Sequence, residues 1–151
     1  MSDSAPDYAW LTPTLAVMGQ ISAADIPALH VAGFKTIINN RPDDEEPGQP
    51  TAAETQAAAE AAGLAYIYQP FATNQLSVPV AEALAAALEG AADPVLVHCR
   101  SGGRSTAAWA VARALTGEQT PDELITIAGA QGFDLRGLAP LLHAAARARS
   151  D

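Results

Sequence analysis

The stretch VLVHCRSGGRST, residues 95–106, decides the fold. An apolar run, Val95–Val97, leads through His98 into Cys99, the only cysteine in the chain. Two glycines follow, then Arg104, then a Ser-Thr pair that opens an alanine-rich helical pattern. That order reads as a buried strand, a tight loop and a helix N-terminus. Backbone N–H groups of residues 100–104 can turn inward there as an anion nest, and the helix start adds unpaired N–H groups and its positive dipole end. Gly102 and Gly103 supply the backbone freedom of a tight loop. Thiols at helix N-termini ionise readily and become nucleophiles. Arg104 can grip an oxyanion with its planar fork. Ser105 is placed to hydrogen-bond the thiolate or a leaving sulfur. Ser101 belongs to the same cradle, and Arg100 meets substrate at its mouth or faces solvent.

Outward from this stretch, strands and helices alternate. Strands are expected at 14–20 (TLAVMGQ), 34–40 (FKTIINN), 64–71 (LAYIYQPF) and 93–99. Helices are expected at 22–33, 51–63, 78–91, 104–117, 120–132 and 135–149, several opened by Ser or Thr caps and closed by glycine. The segment RPDDEEPGQP, 41–50, is a loop with three prolines, one glycine and four consecutive acids. Alternation of this kind predicts an α/β three-layer sandwich with a mostly parallel central sheet. Right-handed crossovers bring the loops after the strands to one edge, where ligands bind. Cys99 and the 41–50 loop both fall at that edge.

The length of 151 residues fits one domain, 1–151, with residues 1–9 as a loose N-terminal tail. A formal net charge of −9 argues against nucleic-acid or anionic-membrane partners. One cysteine fits a reducing compartment, and the chain starts without a signal peptide and contains no long apolar run, so a cytoplasmic location is expected. One cysteine and three scattered histidines give no metal-ligand spacing, and no cofactor is expected. His98 should point away from the nucleophile by strand alternation and hold the loop through backbone hydrogen bonds. His30 and His143 read as ordinary helix residues. Trp10 and Trp109 read as core, with Tyr66 and Tyr68 partly so. Arg41, leaving a strand at the active edge, either adds a second anion contact or pairs with its acidic neighbours. The Asp43–Glu46 run reads first as a solvated acidic loop.

HCRSGGRS (98–105) resembles the Cys/Arg loop shared by protein tyrosine phosphatases and rhodanese-type sulfurtransferases. The stretch from Leu15 to Pro50, then AAGLAYIYQPF (61–71) and GAQGFDL (129–135), is similar to the beta-lactamase hydrolase-like, phosphatase-like domain family, over roughly residues 10–142. The resemblance implies a protein-tyrosine-phosphatase-like fold of the dual-specificity type. Members of that family are described either as phosphatases or as sulfurtransferases.

Two features bear on that choice. Tyrosine phosphatases place five residues between Cys and Arg; four lie between Cys99 and Arg104, the rhodanese-type spacing. Phosphatases of this fold also need an aspartic acid on a loop before the cysteine, and PFATNQLS (70–77) has no carboxylate. Both features favour sulfur transfer through a Cys99 persulfide, from a small anionic sulfur donor to an acceptor thiol. The alternative is a phosphatase with a phosphocysteine intermediate acting on a phosphorylated substrate. Asp43 or Glu46 would then be asked for the missing acid. The oligomeric state stays open.

Overall fold

The computed structural model describes residues 7–149. Five strands, β1 (Ala9–Thr12), β2 (Leu15–Met18), β3 (Thr36–Asn39), β4 (Ala65–Tyr68) and β5 (Val95–His98), form one sheet in the order β1-β2-β5-β3-β4. All pairings are parallel except β1 with β2. The three central strands are buried along their whole length, which is why they read as continuous apolar runs rather than alternating ones.

Among the described residues, six helices flank the sheet: α1 (Ile26–Val31), α2 (Ala52–Ala61), α3 (Val78–Gly90), α4 (Gly103–Thr116), α5 (Pro121–Ala130) and α6 (Ala139–Arg149). They cover both faces unequally. Ile26 and Leu29 of α1 and Ala59 of α2 join Ala16, Ile37 and Leu96 in the smaller core. Helices α3 to α6 bury Val17, Ile38, Val95 and Val97 on the other face, around a fully buried Trp109. Alanines at 108, 110, 112 and 114 let α4 sit deep in that layer, because small side chains permit close helix approach. The result is the expected three-layer α/β sandwich.

Several boundaries differ from the sequence reading. The expected helix over 22–33 begins as a 3-10 turn, Ala23–Asp25, before α1. The last helix likewise begins with a 3-10 turn at Arg136–Leu138. Strand β1 was not anticipated: Ala9 opens it, so the expected N-terminal tail ends sooner, and residues 1–6 lie outside the described residues. The strand is short, half-exposed and follows an irregular register against β2, which leaves it no periodic signal. Trp10, expected in the core, is 39% exposed and stacks on Phe34 at the sheet edge. Tyr68 is also exposed.

Candidate active site

Strands β2, β3 and β5 end level with one another, with His98 opposite both Met18 and Asn39. The next residues, Gly19, Asn40 and Cys99, therefore leave the sheet together. Cys99 donates its N–H to the Met18 carbonyl (3.3 Å), and Asn40 donates its own to the His98 carbonyl (2.8 Å). These bonds fix the base of the cysteine loop before any side chain takes part.

The loop itself is short and tight. Cys99 is buried, and its Sγ accepts the Gly102 N–H at 3.1 Å. Gly102 adopts φ +95 as the N-cap of α4, where a side chain would be strained and a Cβ would lie 3.0 Å from the Phe133 ring. Gly103 is different: it has room for a Cβ and no left-handed backbone, so the loop needs one glycine there, not two. Helix α4 starts at Gly103, leaving the first N–H groups of that helix free toward the loop. Gln20 donates its N–H to the Arg100 carbonyl (3.1 Å), and a Cβ on Gly19 would sit 2.8 Å from the same oxygen. Gly19 is thus a close-approach glycine beneath the loop.

Ser105 does not reach Cys99 as a donor. Its fully buried hydroxyl donates to Asn40 Oδ1 at 2.8 Å, tying α4 to the end of β3. Asn40 Nδ2 in turn donates to the Gln69 carbonyl, and Asn39 Oδ1 accepts the Arg41 N–H. His98 is fully buried, with Nδ1 3.3 Å from the Cys99 carbonyl, the backbone-holding role expected of it. Burial pushes its imidazole down to about 4, with the Cys99 carbonyl contact opposing that shift, so the ring is neutral at pH 7.

The acidic loop is not solvated where it matters. Arg41, 2% exposed, donates Nε to Glu45 Oε1 (2.8 Å), Nη2 to Glu46 Oε1 (2.7 Å) and Nη1 to Gln20 Oε1 (3.1 Å). The arginine thereby pairs with its own loop, the second of the two expected roles. Glu45 also takes the fork of Arg104, with Nη2 to Oε1 at 3.1 Å and Nη1 to Oε2 at 3.0 Å. Glu46 reaches the largely exposed Arg100 at 3.1 Å. Burial alone would raise the Glu45 carboxyl, but hydrogen bonds from Arg104 and Arg41, with their charges, outweigh it and hold it below the usual range. The Arg41 hydrogen bond and the Arg100 charge do the same for Glu46. Neither carboxylate can serve as a proton donor near neutral pH in this arrangement. Asp43 is engaged elsewhere: its Oδ1 accepts the Ala52 N–H at the start of α2.

Arg104 separates two spaces. On one side lies an ionic pocket of about 390 Å³ lined by Arg41, Glu45, Glu46 and Arg100. On the other is a mostly apolar recess of about 350 Å³, walled by Phe71, Leu76, Ala107, Leu135 and Leu138. Asp134 stands at its rim, held down to about 2 by hydrogen bonds from Arg136. The Phe71 carbonyl accepts Arg104 Nη1 at 3.2 Å, which brings the 70–77 loop to the site. A strand-end cysteine facing a helix N-terminus and an arginine from that helix's first turn is a site for a nucleophile and an oxyanion.

Residues 7–116 match the model of the family described as "Beta-lactamase hydrolase-like protein, phosphatase-like domain". The chain belongs to this family. The beta-lactamase hydrolase-like protein of Agrobacterium fabrum is 36% identical over 121 residues, which is 80% of this chain and 28% of that protein. The chain therefore spans little more than a quarter of the curated relatives it matches. Among solved structures, a Neisseria meningitidis protein proposed to be a phosphatase superposes with a TM-score of 0.81 at 34% identity, covering 90% of this chain and 96% of that one. P. aeruginosa TpbA, solved in complex with pTyr, shares the fold alone: TM-score 0.67 at 18% identity, over 93% of this chain and 88% of that one. The domain thus has a protein-tyrosine-phosphatase-like fold in a phosphatase-like enzyme family. These matches back the phosphatase alternative over sulfur transfer, which none of them supports. The four-residue spacing between Cys99 and Arg104 stands here in a chain of a phosphatase-like family, so loop length counted along the sequence does not by itself decide between the two chemistries.

Asn40, Gln20, Gly19 and Phe133 escaped the sequence reading. A polar pair at the end of an otherwise apolar strand, Asn39-Asn40, is the signal that points to Asn40. Gly19 at the end of β2 is readable as a close approach only once the strand order is known.

Proposed function

We propose that this domain is a phosphohydrolase acting on phosphorylated substrates through Cys99. The thiolate attacks phosphorus, the bond to the leaving oxygen breaks, and the phosphoryl group passes to sulfur. Water then attacks phosphorus, releasing inorganic phosphate and regenerating the thiol. Arg104 and the N–H groups of residues 100–104 hold the equatorial oxygens. Gly102 shapes the cradle, while Ser101 and Arg100 line its mouth. Ser105 acts as a positioning residue through Asn40. The observation that carries the reading is the buried Cys99 Sγ on the Gly102 N–H, at the N-terminus of the helix whose first turn carries Arg104, in a chain of this family.

The 70–77 loop lacks a carboxylate, and the nearby Glu45, Glu46 and Asp134 are all held ionised. Esters whose leaving group departs without a proton, such as aryl phosphates, should be turned over well ahead of alkyl phosphates. Cys99→Ser should lower hydrolysis of p-nitrophenyl phosphate by on the order of a thousandfold or more. Arg104→Lys, which keeps the charge and loses the fork, should cost at least about tenfold, equivalent to ~1.4 kcal/mol of transition-state binding. Turnover of thiosulfate with cyanide far above turnover of any phosphate ester would reject the proposal in favour of sulfur transfer.

A further inference from the structure

The groups expected to receive a phosphoryl oxygen are engaged by carboxylates of the chain itself. Glu45 presents two carboxylate oxygens to two nitrogens of Arg104, the fork-to-fork geometry in which arginine also holds phosphate. Glu46 presents its second oxygen to Arg100. Both carboxylates are anchored from behind by Arg41, which is buried and held in turn by Gln20. Arg104 Nε is buried with no partner, so the guanidinium is only partly satisfied by this arrangement.

The loop that carries the two glutamates is tethered lightly. Asp44 and Gly48 take left-handed backbone on either side of them. Gln49 closes the loop by accepting the Glu45 N–H and donating to the Pro42 carbonyl. The start of the loop is anchored by Arg41, which donates to Gln20, and by Asp43, whose N–H donates to the Tyr68 hydroxyl and whose Oδ1 accepts the Ala52 N–H; past Asp43, the contacts to other segments are the Glu45–Arg104 and Glu46–Arg100 pairs.

We propose that Glu45 and Glu46 are internal competitive ligands of the oxyanion site, and that release of Arg104 and Arg100 by the 41–50 loop is a step of substrate binding. Two carboxylates against three guanidiniums leave little net positive charge for a dianionic ester; with the pairs opened, Arg104 and Arg100 are free for it. The same pairs keep the buried Arg41 and Arg104 from standing as unpaired charges. The inference rests on the phosphatase reading only in assuming that an oxyanion binds at the Cys99–Arg104 loop.

The test uses sulfate, an oxyanion that stays dianionic through the neutral range and is not turned over. The rise in Tm with sulfate concentration is measured for wild type, Glu45→Gln and Glu46→Gln, each against its own sulfate-free baseline, so that differences in intrinsic stability drop out. Glu45→Gln leaves Arg41 with Glu46 and Gln20 and should fold. A contact closed nine-tenths of the time weakens apparent affinity about tenfold, so Glu45→Gln should bind sulfate about tenfold more tightly than wild type. Glu46→Gln, which frees the exposed Arg100, should bind more tightly by a smaller factor. Equal or weaker sulfate binding by Glu45→Gln would overturn the inference, since it would mean that Glu45 props Arg104 in its working position. Sulfate without effect on both wild type and Glu45→Gln would also overturn it; Cys99-dependent ester hydrolysis in that case would leave the phosphatase reading standing.

Discussion

The loop after β5 and the loop after β3 leave neighbouring strands at the same edge of the sheet, yet they are held by opposite means. The cysteine loop is fixed by backbone. Cys99, Gly102, Gly19 and Arg100 are locked through N–H and carbonyl groups at close range, and its key side chains, Cys99 and Ser105, are buried. The acidic loop is fixed by charge, through Glu45 and Glu46 on three arginines. A backbone-built loop keeps its shape whatever occupies it. A loop held by ion pairs can exchange its partners for an incoming anion. The pairing of one rigid and one exchangeable wall is what an anion site needs if it is to be both preorganised and reachable.

The sharpest way to separate the two walls is pH. His98 sits neutral beneath the cysteine loop, lowered to about 4 by burial from an ordinary value of 6.5. The unfolded chain binds that proton first, so stability is full above pH 6.5 and falls as pH drops from 6.5 to 4. The loss amounts to about 3 kcal/mol. Glu45 works in a lower window. Its carboxyl is held below the usual range, so its contribution is present above about 4.5, the model-peptide region, and is lost as pH falls through its lowered value. Urea unfolding from pH 7 to pH 4 should show the first loss in wild type, and His98→Gln should flatten it. An unchanged slope in that variant would remove His98 as the cause.

Glycine substitutions probe the same contrast at smaller scale. Gly19→Ala pushes a Cβ to 2.8 Å from the Arg100 carbonyl, a backbone atom that cannot step aside. Overpacking of this kind should cost about 2 kcal/mol and distort the cysteine loop, lowering ester turnover as well. Ser105→Ala strands the buried Asn40 Oδ1 and should cost about 1–2 kcal/mol in denaturant unfolding. Gly48→Ala in the acidic loop meets no atom within 4 Å and pays only for its left-handed backbone at φ +79, about 1 kcal/mol. If Gly48→Ala proved costlier than Gly19→Ala, the division into a rigid and an exchangeable loop would be wrong.

What was legible in the sequence follows from the same division. The strand, loop and helix around Cys99 are local features: an apolar run, a glycine that must take positive φ, and a helix start, all within twelve residues. So are the caps at Thr51 and Thr120, which the structure reproduces with their own hydrogen bonds. The parallel sheet follows from the alternation of elements. The glutamate–arginine network does not, because Glu45 and Arg104 are brought together only by the β5-β3 pairing. An acidic run next to one arginine looks solvated until the other two arginines are placed. Likewise the hydroxyl of Ser105 has a cysteine six residues upstream in sequence and an asparagine from the end of another strand in space, and the asparagine Oδ1 accepts its hydrogen bond.

The central claim is that Cys99 carries a phosphoryl group. Rapid-quench mass spectrometry of the protein mixed with p-nitrophenyl phosphate tests it most directly. The account predicts a transient gain of about 80 Da, one phosphoryl group, on the peptide containing Cys99, and none in Cys99→Ser. A gain of about 32 Da on Cys99 from thiosulfate, with no adduct from any phosphate ester, would mean that the thiolate carries sulfane sulfur instead and would contradict it.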